Sequence, residues 1–426
     1  MKSTSLRALN QRIDRISTHH AIIGIDMAKD IHVAQMTDYR GRVLTTRSLP
    51  FSNTLDGFTA LLTWMQQGML KHGLTAVLLG MEPTGHYWFN LANWLLEQGL
   101  EVVLVNPTTV HRNKENRDNC PSKNDAKDAL TIADVVSRGF YTDYHPQTEA
   151  LQSLKIMVHD REYWTKQATS AGNRIIRWID LNFPEFRRVF PDWTVPRSLA
   201  TLRAFGLPDE VKTLTVEQIL MGWQEQGMKR PGGNRGVAKA EELLAAAANS
   251  VGDRSAVKQA SRDLKRLLDE YARLQHNLQE IEADLIEVLG EIPLAESLQS
   301  IRGLGKITAA VLLGCAGDLN GYDHGRQLLR RAGLNLAERT SGKYKGQIKL
   351  SKRGDSMLRK YLYWAMLTLV NQHPDFRQWH LQNQARGMKK QASLFKLIGK
   401  LCRIIVGMVK HGQSYESPAC GGVSAA

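Results

Sequence analysis

Cysteine is scarce in this chain of 426 residues: Cys120, Cys315, Cys402 and Cys420 are the four present, and no two form a CxxC pair. That spacing suits neither a zinc site nor a disulfide framework, and it fits a reducing compartment. Long apolar runs are missing as well. Stretches such as ITAAVLLGCAG (307–317) fall far short of the roughly 20 residues that span a bilayer. The opening MKSTSLRALNQRIDRIS is polar and basic, without the apolar centre of a secretory signal. Acidic residues are also in deficit, 42 against 56 Lys and Arg, for a formal charge of +14 and a pI near 9.6. Such a balance favours an anionic partner, nucleic acid or a membrane surface. A membrane would be met by one basic amphipathic anchor, whereas Lys and Arg here are spread over several segments. Nucleic acid is the expected partner, membrane is not, and the expected setting is the cytoplasm, at the nucleoid.

Apolar residues make up 42% of the chain, a globular composition with room for two or three cores. Residues 1–146 read as an α/β domain. AIIGID (21–26), IHVAQMTD (31–38) and GRVLTTRSLPF (41–51) resemble a meander. A helix over 55–71, strand 75–81, a helix over 86–98, strand 101–106 and a helix opening near Lys123 follow. This order suits three layers, helices on both sides of a sheet. Residues 147–294 read as helical, with a proline-rich insert near 184–252. From Ala260, apolar residues recur at alternating steps of four and three: Leu264, Leu267, Tyr271, Leu274, Leu278, Ile281, Leu285 and Val288. That is a coiled-coil seam, made either between chains or by folding back on the earlier helix. Residues 295–412 form a third, mainly helical region, and 413–426 read as a disordered tail.

KNDAKDAL (123–130) places Asp125 and Asp128 on one helical face, with Cβ atoms about 5–6 Å apart. Such a pair is as readily a solvated face flanked by Lys123 and Lys127 as half of a metal site. Asp26 ends the first strand, in GIDMAKD, and Glu82 follows another, in MEPTGHYW. Asp, Glu, Asp, Asp on strand, strand and helix is the carboxylate order of an RNase H-like metal site. Hard oxygen donors suit Mg²⁺, with Mn²⁺ as the alternative, and two such ions could stabilise both oxygens of a phosphodiester exchange. Taken singly, Asp26 could cap a turn and Glu82 could pair with a lysine. His86 and His111 read as structural or substrate-facing.

SIRGLGKITAAVLL (300–313) joins two helices through Gly303 and Gly305, a helix-hairpin-helix signature. Its glycines allow close approach to a phosphate and Lys306 adds a charge. A plain tight turn gives the same pattern. Between Asp323 and Lys360, Lys and Arg number eleven against three acids. Arg339, Lys343, Lys345, Lys349, Lys352 and Arg353 flank small residues there, a surface suited to nucleic-acid phosphates. Ser341 lies among them in TSG. A serine beside glycine is ordinarily a turn residue. As a nucleophile it would draw on the neighbouring cations for charge neutralisation, and Ser351 and Ser356 compete for that role.

Together GIDMAK, EPTGHYW, KNDAKDA, IRGLGKITA and AGLNLAERTSG…LSKRG resemble, in order, the DEDD-type insertion-sequence transposases, which include Piv-like DNA invertases and bridge-RNA-guided recombinases. The resemblance implies an N-terminal RuvC-like domain of RNase H fold, a helical coiled-coil linker and a C-terminal transposase domain. It implies an Mg²⁺-binding tetrad at Asp26, Glu82, Asp125 and Asp128, and Ser341 as the nucleophile of a covalent phosphoserine–DNA link. It further implies excision and integration of an element, an element-encoded guide RNA, and a homo-oligomer, dimer or tetramer, in which tetrad and serine meet across subunits. Two departures stand out: Asn124 replaces a common threonine, and the 184–252 insert looks longer than in compact relatives. The rival readings are a nuclease using water, a sugar kinase or ATPase, and a non-catalytic architectural protein. The kinase reading needs a Gly- and Thr-rich phosphate loop after Asp26, and MAKD supplies none.

Overall fold

The computed structural model describes residues 3–116, 119–120, 124–338, 340–341 and 344–417. The chain divides into two compact units, Met1–Pro146 and Gln147–Ala426.

The first unit is mixed α/β. After helix α1 (Ser3–Asp14) come β1 (His20–Asp26), β2 (Ile31–Asp38), β3 (Leu49–Ser52), α2 (Leu55–His72), β4 (Ala76–Met81), α3 (Trp88–Glu97), β5 (Glu101–Val105), α4 (Pro107–Asn113), α5 (Asp125–Ser137) and β6 (Tyr141–Asp143). The sheet order is β3-β2-β1-β4-β5-β6. β1, β4 and β5 run parallel, while β2, β3 and β6 pair antiparallel with their neighbours. Alternation along β1 supplies both cores. Ala21, Ile23 and Ile25 face Phe58, Leu61 and Leu91 of α2 and α3, and Ile22 faces Val110, Ile132 and Val136 of α4 and α5. The sheet is thus the middle of three layers.

The third strand is shorter than the expected 41–51. Residues 43–48 pair with the sheet through an isolated bridge at Thr37–Val43, and the buried Gln35 side chain holds the backbone that follows. Its Nε2 donates to Thr45 O (3.3 Å) and Thr45 Oγ1 (3.0 Å). The helix expected from Lys123 starts at Asp125, with Asn124 as its cap.

The second unit is mostly helical. It opens with α6 (Glu149–Asn182), then α7 (Phe186–Val189), α8 (Pro196–Ala204), α9 (Pro208–Val211), α10 (Val216–Glu225), α11 (Asn234–Ala248) and α12 (Val257–Gly290). The prolines that made 184–252 hard to read start helices here: Pro196 and Pro208 hold the first positions of α8 and α9, where no N–H partner is needed. Phe183, Phe186, Ile219, Trp223 and Leu243 give this stretch its own core, shared with Ile175 and Leu264 of the long helices. The heptad seam of α12 folds back on α6. Trp178 Nε1 donates to Ala260 O (2.9 Å) and Arg161 Nε to Glu282 Oε1 (2.7 Å), so the two helices run antiparallel.

The chain continues through α13 (Pro293–Gln299), α14 (Lys306–Ala316), α15 (Gly325–Arg331), four two-residue strands β7 (Leu336–Ala337), β8 (Thr340–Ser341), β9 (Tyr344–Lys345) and β10 (Lys349–Leu350), then α16 (Ser356–Gln372), α17 (Pro374–Ala385) and α18 (Lys390–His411). α14 is buried from Ala309 to Ala316 and centres the core. Past α18, Tyr415 and Ser417 donate to the two oxygens of Asp375 at 2.7 and 2.9 Å. Cys315 and Cys402 are buried free thiols. Among the described residues no helix is long and apolar enough to cross a membrane.

Candidate active site

Strand register brings the first two carboxylates together. β1 and β4 are parallel with Ile25 opposite Met81, so Asp26 and Glu82 leave neighbouring strands side by side. The turn after Asp26 is fixed by Ala28 N donating to His32 Nδ1 (3.2 Å), and burial holds that imidazole below its usual pKa, neutral and able to accept. Glu82 accepts from Thr84 Oγ1 (2.6 Å).

The second pair arrives because two glycines clear a path for α5. A Cβ at Gly24 would stand 2.0 Å from Ala129 O and 2.5 Å from Ala133 N, and one at Gly80 2.5 Å from Val136 Cγ2. Bare backbone at both positions lets α5 lie directly on β1 and β4. Asn124 caps the helix, its side chain accepting from Lys127 N at 2.7 Å, so Asp125 and Asp128 occupy the first turn, where the helix dipole favours negative charge.

The other three carboxylates all act on Asp26. Burial pushes Asp26 up to about 6, and Asp128, Asp125 and Glu82 add to the shift, against Lys114. Asp128 is 6% exposed. Its Oδ2 accepts from Lys114 Nζ at 2.7 Å, and its Oδ1 is buried with no hydrogen-bond partner. Among the described residues, no three His, Cys, Asp or Glu side chains already form a metal-ligating group. An all-oxygen set, one orphaned buried oxygen and three negative charges acting on Asp26 fit a hard divalent cation once the side chains draw together.

Lys114 escaped the sequence reading. It caps the end of α4, fourteen residues before its partner, and no spacing rule links the two. Lys114→Met is expected to destabilise the metal-free protein by about 3 kcal/mol, the cost of leaving a buried carboxylate uncompensated. Urea denaturation with and without divalent cation checks this, since added cation should recover part of the loss.

In the second unit, Gly303 adopts φ 100° in the turn between α13 and α14, Gly305 is the N-cap of α14, and Lys306 is exposed at its first position. The basic segment forms a small arm, β7 pairing with β10 and β8 with β9. Ser341 lies in β8 opposite Tyr344, and Lys345 opposite Thr340. Arg339 and Lys343 lie outside the described residues. Lys349, Lys352 and Arg353 are exposed. Ser351 has a bonding role: its Oγ donates to Asn335 Oδ1 (2.6 Å), with Gly333 O at 3.2 Å. Ser356 heads α16, capped by Asp355.

A transposase model of the DEDD IS110 type matches residues 23–184, and one described as the transposase IS116/IS110/IS902 family matches 295–381. Similar proteins span nearly the whole chain. The insertion element IS116 44.8 kDa protein of Streptomyces clavuligerus is 23% identical, covering 93% of this chain and 96% of its own length. The transposase for insertion sequence element IS1111A of Coxiella burnetii is 24% identical (94% and 92%). The pilin gene-inverting protein of Moraxella bovis is 21% identical (92% and 97%).

Proposed function

Because this chain belongs to the IS116/IS110/IS902 family of transposases, enzymes that act on DNA, we propose that it excises and integrates an insertion sequence through a phosphoserine–DNA intermediate. A DEDD-type transposase depends on a divalent metal ion; in this reading it is Mg²⁺, with Mn²⁺ as a substitute. The first unit is read as an RNase H-like domain of RuvC type, supported by its sheet order and by the carboxylates at the ends of two parallel strands. The observation that carries the reading is that the charges of Asp128, Asp125 and Glu82 all reach the Asp26 carboxyl, with Asp128 Oδ1 left unpartnered.

These four side chains would hold the cation, which supplies charge stabilisation at the phosphorus when bound. Ser341 Oγ attacks phosphorus. The Oγ–P bond forms as the bond to a deoxyribose oxygen breaks, and that oxygen leaves with the electron pair and is protonated to a hydroxyl. A strand hydroxyl then attacks the phosphoserine, and the serine recovers its proton. One phosphodiester is lost and one regained, so no external energy source is needed. Lys349, Lys352 and Arg353, with Arg339, Lys343 and Lys345, would neutralise the phosphates around Ser341. Gly303, Gly305 and Lys306 would hold backbone without reading sequence. A guide RNA encoded by the element selects the target in this reading, and a homo-oligomer, dimer or tetramer, brings serine and carboxylates together at the nucleoid.

Labelled element-end DNA, incubated with the protein, its co-purifying RNA and Mg²⁺, is expected to yield joined products. Chelation and Asp125→Ala should each abolish them. Joining that persists unchanged in chelator contradicts the metal assignment.

A further inference from the structure

A cleft of about 840 Å³ opens in the first unit between the 43–50 segment and the helices α4 and α5. Arg47, Lys114 and Lys127 line it, with Thr46, Asn113 and Asn124, and no Asp or Glu is among its lining residues. In a family whose reaction centre is acidic, an adjoining surface with three cations and no anion is chemically distinct. Its outer wall is the segment that leaves the sheet at Val43, held by the Gln35–Thr45 hydrogen bonds. Its inner wall is the face of α5 that carries Lys127 and Thr131, beside the face that carries Asp125 and Asp128. Lys114 belongs to both places, since it lines the cleft and grips Asp128.

We propose that this cleft holds the phosphodiester backbone of one DNA strand as it leaves the carboxylates. The inference rests on reading those carboxylates as the reaction centre. The chemistry favours backbone over bases: cations, hydroxyls and amides suit phosphate oxygens, and no aromatic side chain lines the cleft to stack a base. Its volume is that of a small-ligand site, which suits a few nucleotides of single strand and not a duplex. Arg47 is exposed and has no ion pair among the described residues. Strand binding at the cleft would also offer Lys114 a phosphate in place of Asp128, freeing Asp128 Oδ2 for the cation. Substrate and metal would then favour each other's binding.

The test uses the full chain and fluorescent single-stranded oligothymidine, with oligouridine beside it, titrated across a salt series. Removing one cation that neutralises a phosphate should reduce the salt slope by about 0.7. Arg47→Ala is expected to lower the slope for oligothymidine by about that amount with an unchanged circular dichroism spectrum. With labelled element-end DNA as the probe, Thr46→benzoylphenylalanine is expected to crosslink within a few nucleotides of the cleavage point. An unchanged slope even in Arg47→Glu, an effect confined to oligouridine, or crosslinks only at remote positions would each overturn the proposal. Adduct formation and the salt slope are read separately: failure to form the serine adduct counts against the reaction scheme, and an unchanged slope counts against the cleft.

Discussion

Asp26→Asn is expected to raise the melting temperature of the metal-free protein at pH 8 while lowering strand joining by about 10²–10³-fold, the scale on which a preorganised electrostatic element acts. The sign follows from the carboxyl's displacement from its ordinary 3.8 to about 6 by burial and by Asp128, Asp125 and Glu82. Between those values the folded chain binds a proton that the unfolded chain has released. Stability from this group is therefore complete below about pH 3.8 and lost as pH rises through 6. Asparagine carries no charge at any pH, so the variant keeps the favourable state and gains most above pH 6. Divalent cation should reverse the order, stabilising wild type at pH 8 more than the variant. Thermal melts at pH 5 and pH 8, with and without Mg²⁺, read all of this. Equal melting temperatures at pH 8 without metal would mean that the four carboxylates do not share a field.

Gly24→Ala should unfold or severely weaken the first unit. The added methyl would sit 2.0 Å from a backbone oxygen and 2.5 Å from a backbone nitrogen of α5, and neither atom can swing aside as a side-chain end could. Relief requires lifting the helix off the sheet, which opens the core of Ile22, Ile132, Ala133 and Val136. A cost of about 3 kcal/mol or more is expected, at the upper end for overpacking. It should appear as a lower urea midpoint by circular dichroism. The same shift moves Asp125 and Asp128 away from Asp26, so Mg²⁺ should stabilise the variant less than wild type. A variant as stable as wild type would show that α5 is not seated on bare backbone.

The strands were legible because their signals are local. GID and MEP mark strand ends by an apolar run meeting an acid, whereas the helix expected near Lys123 starts at Asp125, behind its Asn124 cap. Gly24 and Gly80 stand in those same runs, but their meaning depends on α5, about a hundred residues away from Gly24. Lys114 was missed for the same reason: an ion pair across a loop leaves no periodic trace. The 43–48 segment reads as strand by composition, yet a single buried glutamine, Gln35, takes its backbone and turns it into the wall of a cleft. The seam of α12 was clear, but a seam names no partner, and α6 was one of two open choices. The insert was harder to read because two of its prolines, Pro196 and Pro208, serve as helix starts, a role separable from a loop only when the turn before each is known.

The decisive measurement is covalent capture. Labelled element-end DNA, Mg²⁺ and any co-purifying RNA are combined with wild type, Ser341→Ala and Asp125→Ala, and DNA bound to protein is read on a denaturing gel. The expected result is an adduct in wild type that is absent from both variants. Cleavage without an adduct, at equal rates in wild type and Ser341→Ala, would contradict the serine assignment and leave a nuclease that uses water.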